Sequence, residues 1–319
     1  MPPLVLSVAQ SRTLPTLQET LTHLSTLAHR ASTHGTHLLL TPEAFLGGYP
    51  RGSSFGSVIG SRTPSGRAEF ASYALNCPDF GDVHEGGGGV YPSPGDGTKE
   101  FLESLAKNTG VFLVVGVVER CGGTLYCGVV YVCPEKGVVG KRRKLMPTAA
   151  ERLVWGFGSE KTLKAITTTL AGQGVTLAAA ICWENYMPLL RYTIYSQNVN
   201  IYLAPTADGR ESWISTMRHT AMEGRCFVLG ANQYVPGEGV VEGEAPQGGD
   251  GAAKGDRKSC RGGSVIVGPL GEVLAGPLWG EEGLLSVSVE DVRGEVLRGK
   301  MDFDVVGHYR GPWKLVKDD

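Results

Sequence analysis

The 319-residue chain has no long apolar segment, which limits the classes of protein to which it can belong. A membrane-spanning helix needs about 20 consecutive apolar residues, and the sequence contains no such run. Segment 2–9 lacks the basic start and long apolar centre of a secretory signal peptide, and its pattern predicts the first strand instead. We therefore predict no membrane partner and a cytoplasmic location.

A strong excess of one charge is also missing. Thirty Lys and Arg residues face 32 Asp and Glu residues, which gives a formal net charge of −2. Nucleic-acid binding normally requires a basic surface, so we expect no nucleic-acid partner. One local basic run occurs, and for Lys141, Arg142 and Arg143 we predict a solvated face or surface ion pairs.

The cysteines show no paired framework. There are seven, an odd number, and none forms a CxxC motif. This pattern favours a reducing compartment. His34 and His37 have a spacing that could suggest a metal pair, but no cysteine or carboxylate cluster accompanies them. We predict no metal site.

Glycine, in contrast, is abundant, with 46 residues. It is concentrated in two stretches, 84–97 and 236–258, for which we predict irregular loops. The first stretch lacks the Lys-Ser/Thr pair of a phosphate-binding loop. Strand-like segments resume after both stretches, so we predict a single domain over residues 1–319.

Apolar residues alternate between the periods of strands and helices. Segment 16–31 has leucines at positions 17, 21, 24 and 27, as an amphipathic helix packed on a sheet would. The remaining predicted strands are 37–41, 111–118, 124–132, 177–181, 199–203, 227–232, 264–267, 272–274 and 284–289, and the remaining helices are 101–108, 189–196 and 211–224. The alternation predicts an α/β fold.

Three reactive side chains follow apolar runs. Cys182 comes directly after run 177–181, Glu43 after run 37–41, and Lys144 after a strand and a turn. A lone cysteine in an apolar stretch is more often structural, so its meaning depends on the other two. Catalytic groups gather where buried strands give way to loops.

A carboxylate, an ammonium and a thiol can perform acyl transfer without histidine. Glu43 can accept the thiol proton, since the thiolate of Cys182 is the nucleophile. Lys144 and the backbone N–H of Trp183 can offset negative charge in a tetrahedral intermediate. His219 is the nearest histidine rival, but it falls in a helical pattern, where it can simply pack.

Several motifs in the chain resemble those of a known family. Segments 42–45 (PEAF), 143–145 (RKL), 147–148 (PT), 151–152 (ER) and 182–185 (CWEN) together resemble the carbon–nitrogen hydrolases of the nitrilase superfamily. The resemblance extends from 8–10 to 302–309 and implies a four-layer α-β-β-α sandwich with a Glu-Lys-Cys triad. The stretches 43–52, 144–148, 151–156 and 204–209 are most similar to nitrilases of the plant, bacterial and fungal type.

The resemblance implies a role for each matching residue. Glu43 is the general base, Lys144 the cation and Cys182 the nucleophile, and Glu151 matches an additional glutamate that positions the substrate and the lysine. Without the resemblance, Glu151 also fits an N-terminal helix charge or a surface ion pair. The sequence departs from relatives at 149–150, where two alanines leave the local pocket shape open.

Three further polar residues have weaker assignments. Arg143 and Glu184 are candidates for tuning Lys144 or for binding backbone groups. Asp208 is a candidate helix cap. None of them is predicted to be catalytic.

The implied reaction is hydrolysis of an organic nitrile. Cys182 adds to the nitrile carbon to give a thioimidate, and water then gives a tetrahedral intermediate. Loss of ammonia leaves a thioester that a second water, activated by Glu43, hydrolyses to the acid, whereas loss of the thiol gives an amide. We predict mostly acid, and no step needs a metal or an organic cofactor.

Four aromatic residues bear on the substrate. Trp183, Tyr49, Trp155 and Tyr186 can line an aromatic pocket, which favours aryl or arylacetonitriles, although each fits core packing equally well. Asn185 after Trp183 and Glu184 resembles plant and fungal nitrilases more than their cyanide-hydrating relatives, and this resemblance argues mildly against hydrogen cyanide as the substrate.

Two other functions stay open: a cyanide hydratase or amidase that uses the same triad, and a catalytically silent scaffold or binding protein. The resemblance also implies a homo-oligomer, either a dimer or a larger spiral.

Overall fold

The computed structural model describes residues 2–58, 60–81, 94–237 and 260–309. The predicted loops at 84–97 and 236–258 therefore fall mostly outside the described residues. The strands are β1 Leu4–Gln10, β2 Leu38–Leu40, β3 Ser57–Val58, β4 Ser61–Arg62, β5 Phe112–Cys121, β6 Thr124–Cys133, β7 Gly137–Arg143, β8 Ile166–Leu170, β9 Gln173–Ala179, β10 Ile201–Thr206, β11 Phe227–Asn232, β12 Tyr234–Val235, β13 Cys260–Val267, β14 Val273–Trp279 and β15 Gly283–Val289.

The helices are α1 Leu17–Thr33, α2 Pro64–Leu75, α3 Thr98–Thr109, α4 Pro188–Tyr195, α5 Ser212–Gly224, α6 Val292–Asp302 and α7 Val305–Tyr309. Three short 3₁₀ helices span Ala149–Leu153, Glu160–Thr162 and Cys182–Tyr186. No helix within the described ranges is both long and apolar enough to cross a membrane.

Two mixed sheets form the centre of the fold. The first has the order β15-β1-β2-β5-β6-β7, and its central strands β1, β2 and β5 are parallel. The second has the order β12-β13-β11-β10-β9-β8, with β14 paired to β13, and its central strands β9, β10 and β11 are parallel. A small hairpin of β3 and β4 is separate.

Three apolar cores show how these layers stack. Alternate residues of β2 point to opposite faces: Leu38 and Leu40 pack between the sheets against residues such as Leu177, whereas Leu39 packs outward against α1 and α3. On the far side of the second sheet, residues of β10 and β11 pack against α4 and α5. The order helix, sheet, sheet, helix is the predicted four-layer α-β-β-α sandwich.

The structure differs from the sequence prediction in several elements. Helix α2 was not predicted, and Gly66 is its one buried residue, so it carries little amphipathic signal. Helices α6 and α7 and strand β8 were also not predicted. These elements lie toward the periphery, where apolar periodicity is weak.

The prediction of a solvated basic face on β7 is wrong. Lys141, Arg142 and Arg143 are only 2 to 6% exposed. Lys141 and Arg143 both form ion pairs with buried Glu119, and Arg142 forms one with Glu184. Burial of these three cations is possible because carboxylates on neighbouring segments pair with them.

Candidate active site

Glu43, Lys144 and Cys182 converge at one end of the space between the sheets. Glu43 follows β2 by three residues, Lys144 follows β7 directly, and Cys182 begins the 3₁₀ helix after β9. The side chains are buried, with relative exposures of 0, 0 and 4%. Three separate strand ends therefore supply a carboxylate, an ammonium and a thiol.

The segment carrying Glu43 is held closely against β5. The hydroxyl of Thr41 accepts a hydrogen bond from the N–H of Gly116 at 3.1 Å. Any side chain at Gly116 would collide with this segment, because a Cβ there would lie 1.9 Å from the carbonyl oxygen of Pro42. Gln233 donates from the second sheet to the carbonyl oxygen of Glu43 at 2.8 Å. The carboxylate is thus positioned from both sheets.

Lys144 lies between two carboxylates. Its Nζ donates to Oε1 of Glu43 at 2.7 Å and to Oε2 of Glu151 at 2.8 Å. Its backbone N–H donates to the carbonyl oxygen of Cys127 at 2.7 Å, and its carbonyl oxygen accepts from Gly158 at 2.8 Å. These bonds fix the ammonium group beside Glu43.

Glu151 combines a structural role with contact to the lysine. Oε2 accepts a 2.6 Å hydrogen bond from the N–H of Thr148, which caps the 3₁₀ helix Ala149–Leu153, and also binds Lys144. Oε1 accepts from the hydroxyl of Tyr49 at 2.7 Å. Because Glu151 is only 4% exposed, its charge is not a surface ion pair. Its hydrogen bond with Thr148, at the N-terminus of this 3₁₀ helix, agrees with the interpretation of Glu151 as an N-terminal helix charge.

Cys182 occupies a strained turn. Its φ is 51°, in the left-handed region that non-glycine residues rarely adopt. The side-chain amide of Asn185 holds this turn, donating to the carbonyl oxygens of Ala180 at 2.9 Å and of Cys182 at 2.8 Å. Cys182 Sγ accepts a hydrogen bond from the hydroxyl of Thr206 at 3.2 Å. The turn presents the sulfur at the end of β9.

One oxygen of Glu43 is left without a close partner. Oε1 binds Lys144 and lies 3.6 Å from Cys127 Sγ, whereas Oε2 is buried and has no partner at ordinary hydrogen-bond distance among the described residues. Burial raises the pKa of the Glu43 carboxyl, and the Cys182 thiol is near enough to oppose part of this rise. A carboxylate that interacts with the thiol and keeps a free acceptor oxygen has what a general base requires.

The pKa values follow from burial and mutual charge. Burial raises the pKa of Glu43 above its ordinary 4.5, although Lys144 opposes this effect. Burial and the neighbouring Glu43 raise the pKa of Cys182 well above 9.0. Burial lowers the pKa of Lys144. The negative charge of Glu43 and the other groups around the lysine outweigh this effect and raise its pKa well above 10.5. The resting site therefore holds a neutral thiol and a charged lysine.

A small cavity opens onto Cys182. Its volume is ≈ 170 Å³, and its lining residues are Tyr49, Thr148, Ala149, Glu151, Cys182, Trp183, Ala207 and Asp208. Two of the aromatic residues considered for the pocket, Tyr49 and Trp183, thus line it.

The other two aromatic residues occupy different surroundings. Trp155 is 3% exposed and packs edge-on against Tyr49 at 5.5 Å between ring centroids. Tyr186 is 42% exposed and packs against Trp183.

His219 does not belong to this constellation. It lies on the exposed side of α5, with 61% of its side chain accessible, beside Glu223 at 3.8 Å. It neither packs in the core nor lines the cavity at Cys182. Among the described residues, no group of three or more His, Cys, Asp and Glu side chains is arranged to bind a metal.

Sequence reasoning missed two residues that touch the site. Thr206 donates to the sulfur, and Thr148 binds Glu151 and lines the cavity. The pairing of two parallel strands could have identified Thr206. Ala179 of β9 is paired with Leu203 of β10, and Cys182 and Thr206 each follow that pair by three residues, so they lie at the same edge of the sheet.

Comparisons with known proteins agree with this fold. The carbon–nitrogen hydrolase family matches residues 5–297. An aliphatic nitrilase of Sinorhizobium fredii is 43% identical over 98% of this chain and 95% of its own length. An arylacetonitrilase of Trametes versicolor is 45% identical over 95% of this chain and 92% of its own length.

Solved structures show the same fold at low identity. Nit3 of Saccharomyces cerevisiae, described as a member of branch 10 of the nitrilase superfamily, matches with a TM-score of 0.70 at 15% identity and covers 97% of both chains. An amidase of Nesterenkonia matches with a TM-score of 0.65 at 20% identity over 93% of this chain and 94% of its own. Both resemblances noted in the motifs, to the superfamily and to its nitrilases, are thereby confirmed, and the chain belongs to the carbon–nitrogen hydrolase family.

Proposed function

We propose that this protein is a nitrilase that hydrolyses small organic nitriles to a carboxylic acid and ammonia. One observation carries the proposal: Lys144 bridges Glu43 and Glu151 beside a cysteine that opens into a small cavity. Nitrilases that are 43 to 45% identical over most of the chain support the same reaction.

The first step is addition of the sulfur to the nitrile. The thiol is neutral at rest, because burial raises the pKa of Cys182, so Glu43 must take its proton as the S–C bond forms. The proton then passes to the nitrile nitrogen, which gives a thioimidate. Thr206 offsets charge on the sulfur, and Lys144 keeps Glu43 in place.

The second half of the reaction releases the products. Water adds to the thioimidate carbon to give a tetrahedral intermediate, whose charge Lys144 and the N–H of Trp183 stabilise. The nitrogen departs as ammonia after protonation, leaving a thioester. Glu43 then activates a second water, which breaks the S–C bond and releases the acid and the thiol.

Cavity size and lining favour a small, partly aromatic substrate. A volume of ≈ 170 Å³ lies below the roughly 300 Å³ typical of sites for drug-sized ligands. Tyr49 and Trp183 offer aromatic surface, so aryl and arylacetonitriles are the preferred class in this proposal. Trp155 supports Tyr49 from behind and shapes the wall indirectly.

A second product deserves measurement. Several similar plant proteins, such as one from Lupinus angustifolius at 45% identity over 92% of this chain, are named bifunctional nitrilase/nitrile hydratase. An amide forms here if the thiol leaves the tetrahedral intermediate before the nitrogen is protonated. The acid-to-amide ratio therefore reports proton delivery to nitrogen.

The decisive experiment measures ammonia, acid and amide from one panel of compounds. The panel contains phenylacetonitrile, benzonitrile, mandelonitrile, an aliphatic nitrile, phenylacetamide and cyanide. The protein is compared with Cys182→Ala and with the matched control Cys121→Ala, which alters a cysteine outside the cavity.

Each outcome of this panel assigns a different activity. Acid with ammonia, lost only in Cys182→Ala, supports the proposal. Amide without ammonia indicates a hydratase, and activity on phenylacetamide alone indicates an amidase. Inactivity on the whole panel favours a binding protein.

We further propose a homo-oligomer, a dimer or a larger spiral, in the cytoplasm. Large apolar side chains on the surface support an interface, including Leu189 at 66% and Leu297 at 62% exposure. All seven cysteines are free, which fits a reducing compartment. Light scattering that finds only a 33.9 kDa monomer would contradict the oligomer, and cell fractionation tests the location.

A further inference from the structure

One wall of the cavity carries a carboxylate that plays no part in the proposed reaction. Asp208 lines the cavity together with Cys182 and Trp183, and its side chain is 6% exposed. Its Oδ2 accepts a hydrogen bond from the indole N–H of Trp183 at 3.0 Å. A buried negative charge in a pocket wall affects every charged ligand that enters.

Arg210 forms an ion pair with this carboxylate. Arg210 donates from Nε to Oδ1 of Asp208 at 2.8 Å and from Nη2 to Oδ2 at 2.5 Å. This two-point geometry is the strongest arginine–carboxylate arrangement. The guanidinium carbon of Arg210 also lies 4.8 Å from the ring centroid of Trp183. Asp208, Trp183 and Arg210 therefore form one cluster, which we call the wall cluster.

The charged groups of Asp208 and Arg210 differ in their exposure to solvent. Asp208 is held on the cavity side, where its backbone N–H donates to Thr206 at 3.0 Å and its carbonyl oxygen accepts from Asn232 at 2.7 Å. The side chain of Arg210 is 54% exposed. Removal of the arginine would leave the fold around Asp208 anchored, but with an unpaired negative charge in the wall.

We propose that Arg210 is a specificity-determining residue: by pairing with Asp208 it keeps the cavity wall neutral, so that the site accepts uncharged nitriles. The inference rests on the proposed function for its substrate class. The electrostatic part concerns the cavity beside Cys182 and can be tested without any turnover.

The first test measures how fast charged thiol reagents modify Cys182. The probes are methyl methanethiosulfonate and its 2-aminoethyl and 2-sulfonatoethyl analogues, and modification of Cys182 is followed by peptide mass spectrometry. We compare the unmodified protein with Arg210→Gln and with Asp208→Asn/Arg210→Gln. Arg298→Gln is the matched control. Like Arg210, Arg298 is an exposed arginine that pairs with a nearby carboxylate, in this case Glu295.

We expect the ratio of these modification rates to differ among the variants. In Arg210→Gln, the ratio of cationic to anionic modification rates rises on the order of tenfold, because an unscreened carboxylate then faces the cavity. High salt reduces this preference. The ratio returns to its original value in the double variant, where both charges are gone. Arg298→Gln changes it by less than about twofold.

Two results would overturn the proposal. One is a ratio in Arg210→Gln that moves no further than in Arg298→Gln and does not respond to salt. The other is a double variant that keeps the altered ratio of Arg210→Gln, which would mean that Arg210 acts alone. If the double variant does not fold, the salt response of Arg210→Gln still decides the first of these.

The second test uses nitriles and separates this inference from the proposed function. Matched para-substituted phenylacetonitriles carry an ethyl, an aminomethyl or a carboxylate group. Arg210→Gln should shift kcat/KM toward the aminomethyl compound by about tenfold relative to the ethyl compound. If no nitrile is hydrolysed but the labelling ratios shift as forecast, the proposed function fails and the role of Arg210 stands.

Discussion

Glu184 and Arg142 form a buried two-point ion pair that joins the two sheets at the site. Arg142 donates from Nη2 to Oε1 at 2.6 Å and from Nη1 to Oε2 at 2.8 Å. Glu184 also accepts the N–H of Leu145, next to Lys144, and the N–H of Ile181, next to Cys182, both at 2.7 Å. This one carboxylate therefore fixes the distance between the lysine strand and the cysteine turn.

We predict that Glu184→Gln destabilises the fold by about 3–5 kcal/mol, because it leaves Arg142 as an uncompensated buried charge. In addition, the amide nitrogen of the new glutamine would face N–H donors that now bind a carboxylate oxygen of Glu184. Chemical denaturation measures the change, with Glu295→Gln as the control. Glu295 belongs to an exposed pair, so the control should lose no more than about 1 kcal/mol. Equal losses in both variants would contradict a linking role for Glu184.

The same pair shows where sequence reasoning stopped. Within the basic run, Lys141, Arg142 and Arg143 are predicted to be solvent-exposed or in surface ion pairs when each is considered alone. Their partners, Glu119 and Glu184, lie 22 to 42 residues away in the chain, and nothing local in the sequence marks them as partners. The strand ends that carry Glu43, Lys144 and Cys182 could be found because apolar runs and the residues that follow them are local features.

Thr206 is predicted to support the nucleophile. Thr206→Val removes the hydroxyl that donates to the sulfur at 3.2 Å and keeps nearly the same shape. A hydrogen bond to a charged group contributes about 1.5–3 kcal/mol, so kcat/KM should fall by roughly 10- to 100-fold. Thr206→Ser keeps the hydroxyl and is the control. The idea fails if both variants lose the same activity.

The pH dependence should show activity and stability moving in opposite directions. Burial raises the pKa of Glu43 above 4.5, so kcat/KM falls as pH drops through this raised value and the base is protonated. The acid limb should lie above 4.5. The raised pKa also means that Glu43 contributes stability below its unfolded pKa and that this contribution is lost as pH rises through the folded value.

Glu43→Gln provides the control for that pH effect. The variant should be inactive. Its unfolding free energy should not fall as pH rises through the raised pKa of Glu43, whereas that of the unmodified protein should. Denaturation curves at several pH values measure the difference. Parallel pH profiles for the two proteins would show that another group is responsible.

The last prediction concerns the balance of charge around Lys144, the cation that lies between Glu43 and Glu151. Lys144→Met leaves two buried carboxylates facing each other, which should destabilise the fold by about 3–5 kcal/mol at neutral pH. Lys141→Met is a matched control: Lys141 is also buried, but its partner Glu119 keeps a second cation, Arg143. The control should therefore lose less stability.

Acid should distinguish the two variants further. Protonation of Glu43, whose pKa burial already raises, relieves the repulsion in Lys144→Met. The deficit in unfolding free energy of this variant should therefore shrink as pH falls below neutral, whereas the deficit of Lys141→Met should stay nearly constant. Urea titrations of both variants across this pH range measure the effect. Equal deficits that do not respond to pH would contradict this prediction. The loss of stability would then come from packing of the lysine stem rather than from its charge, and Lys144 would not be the group that holds the two carboxylates together.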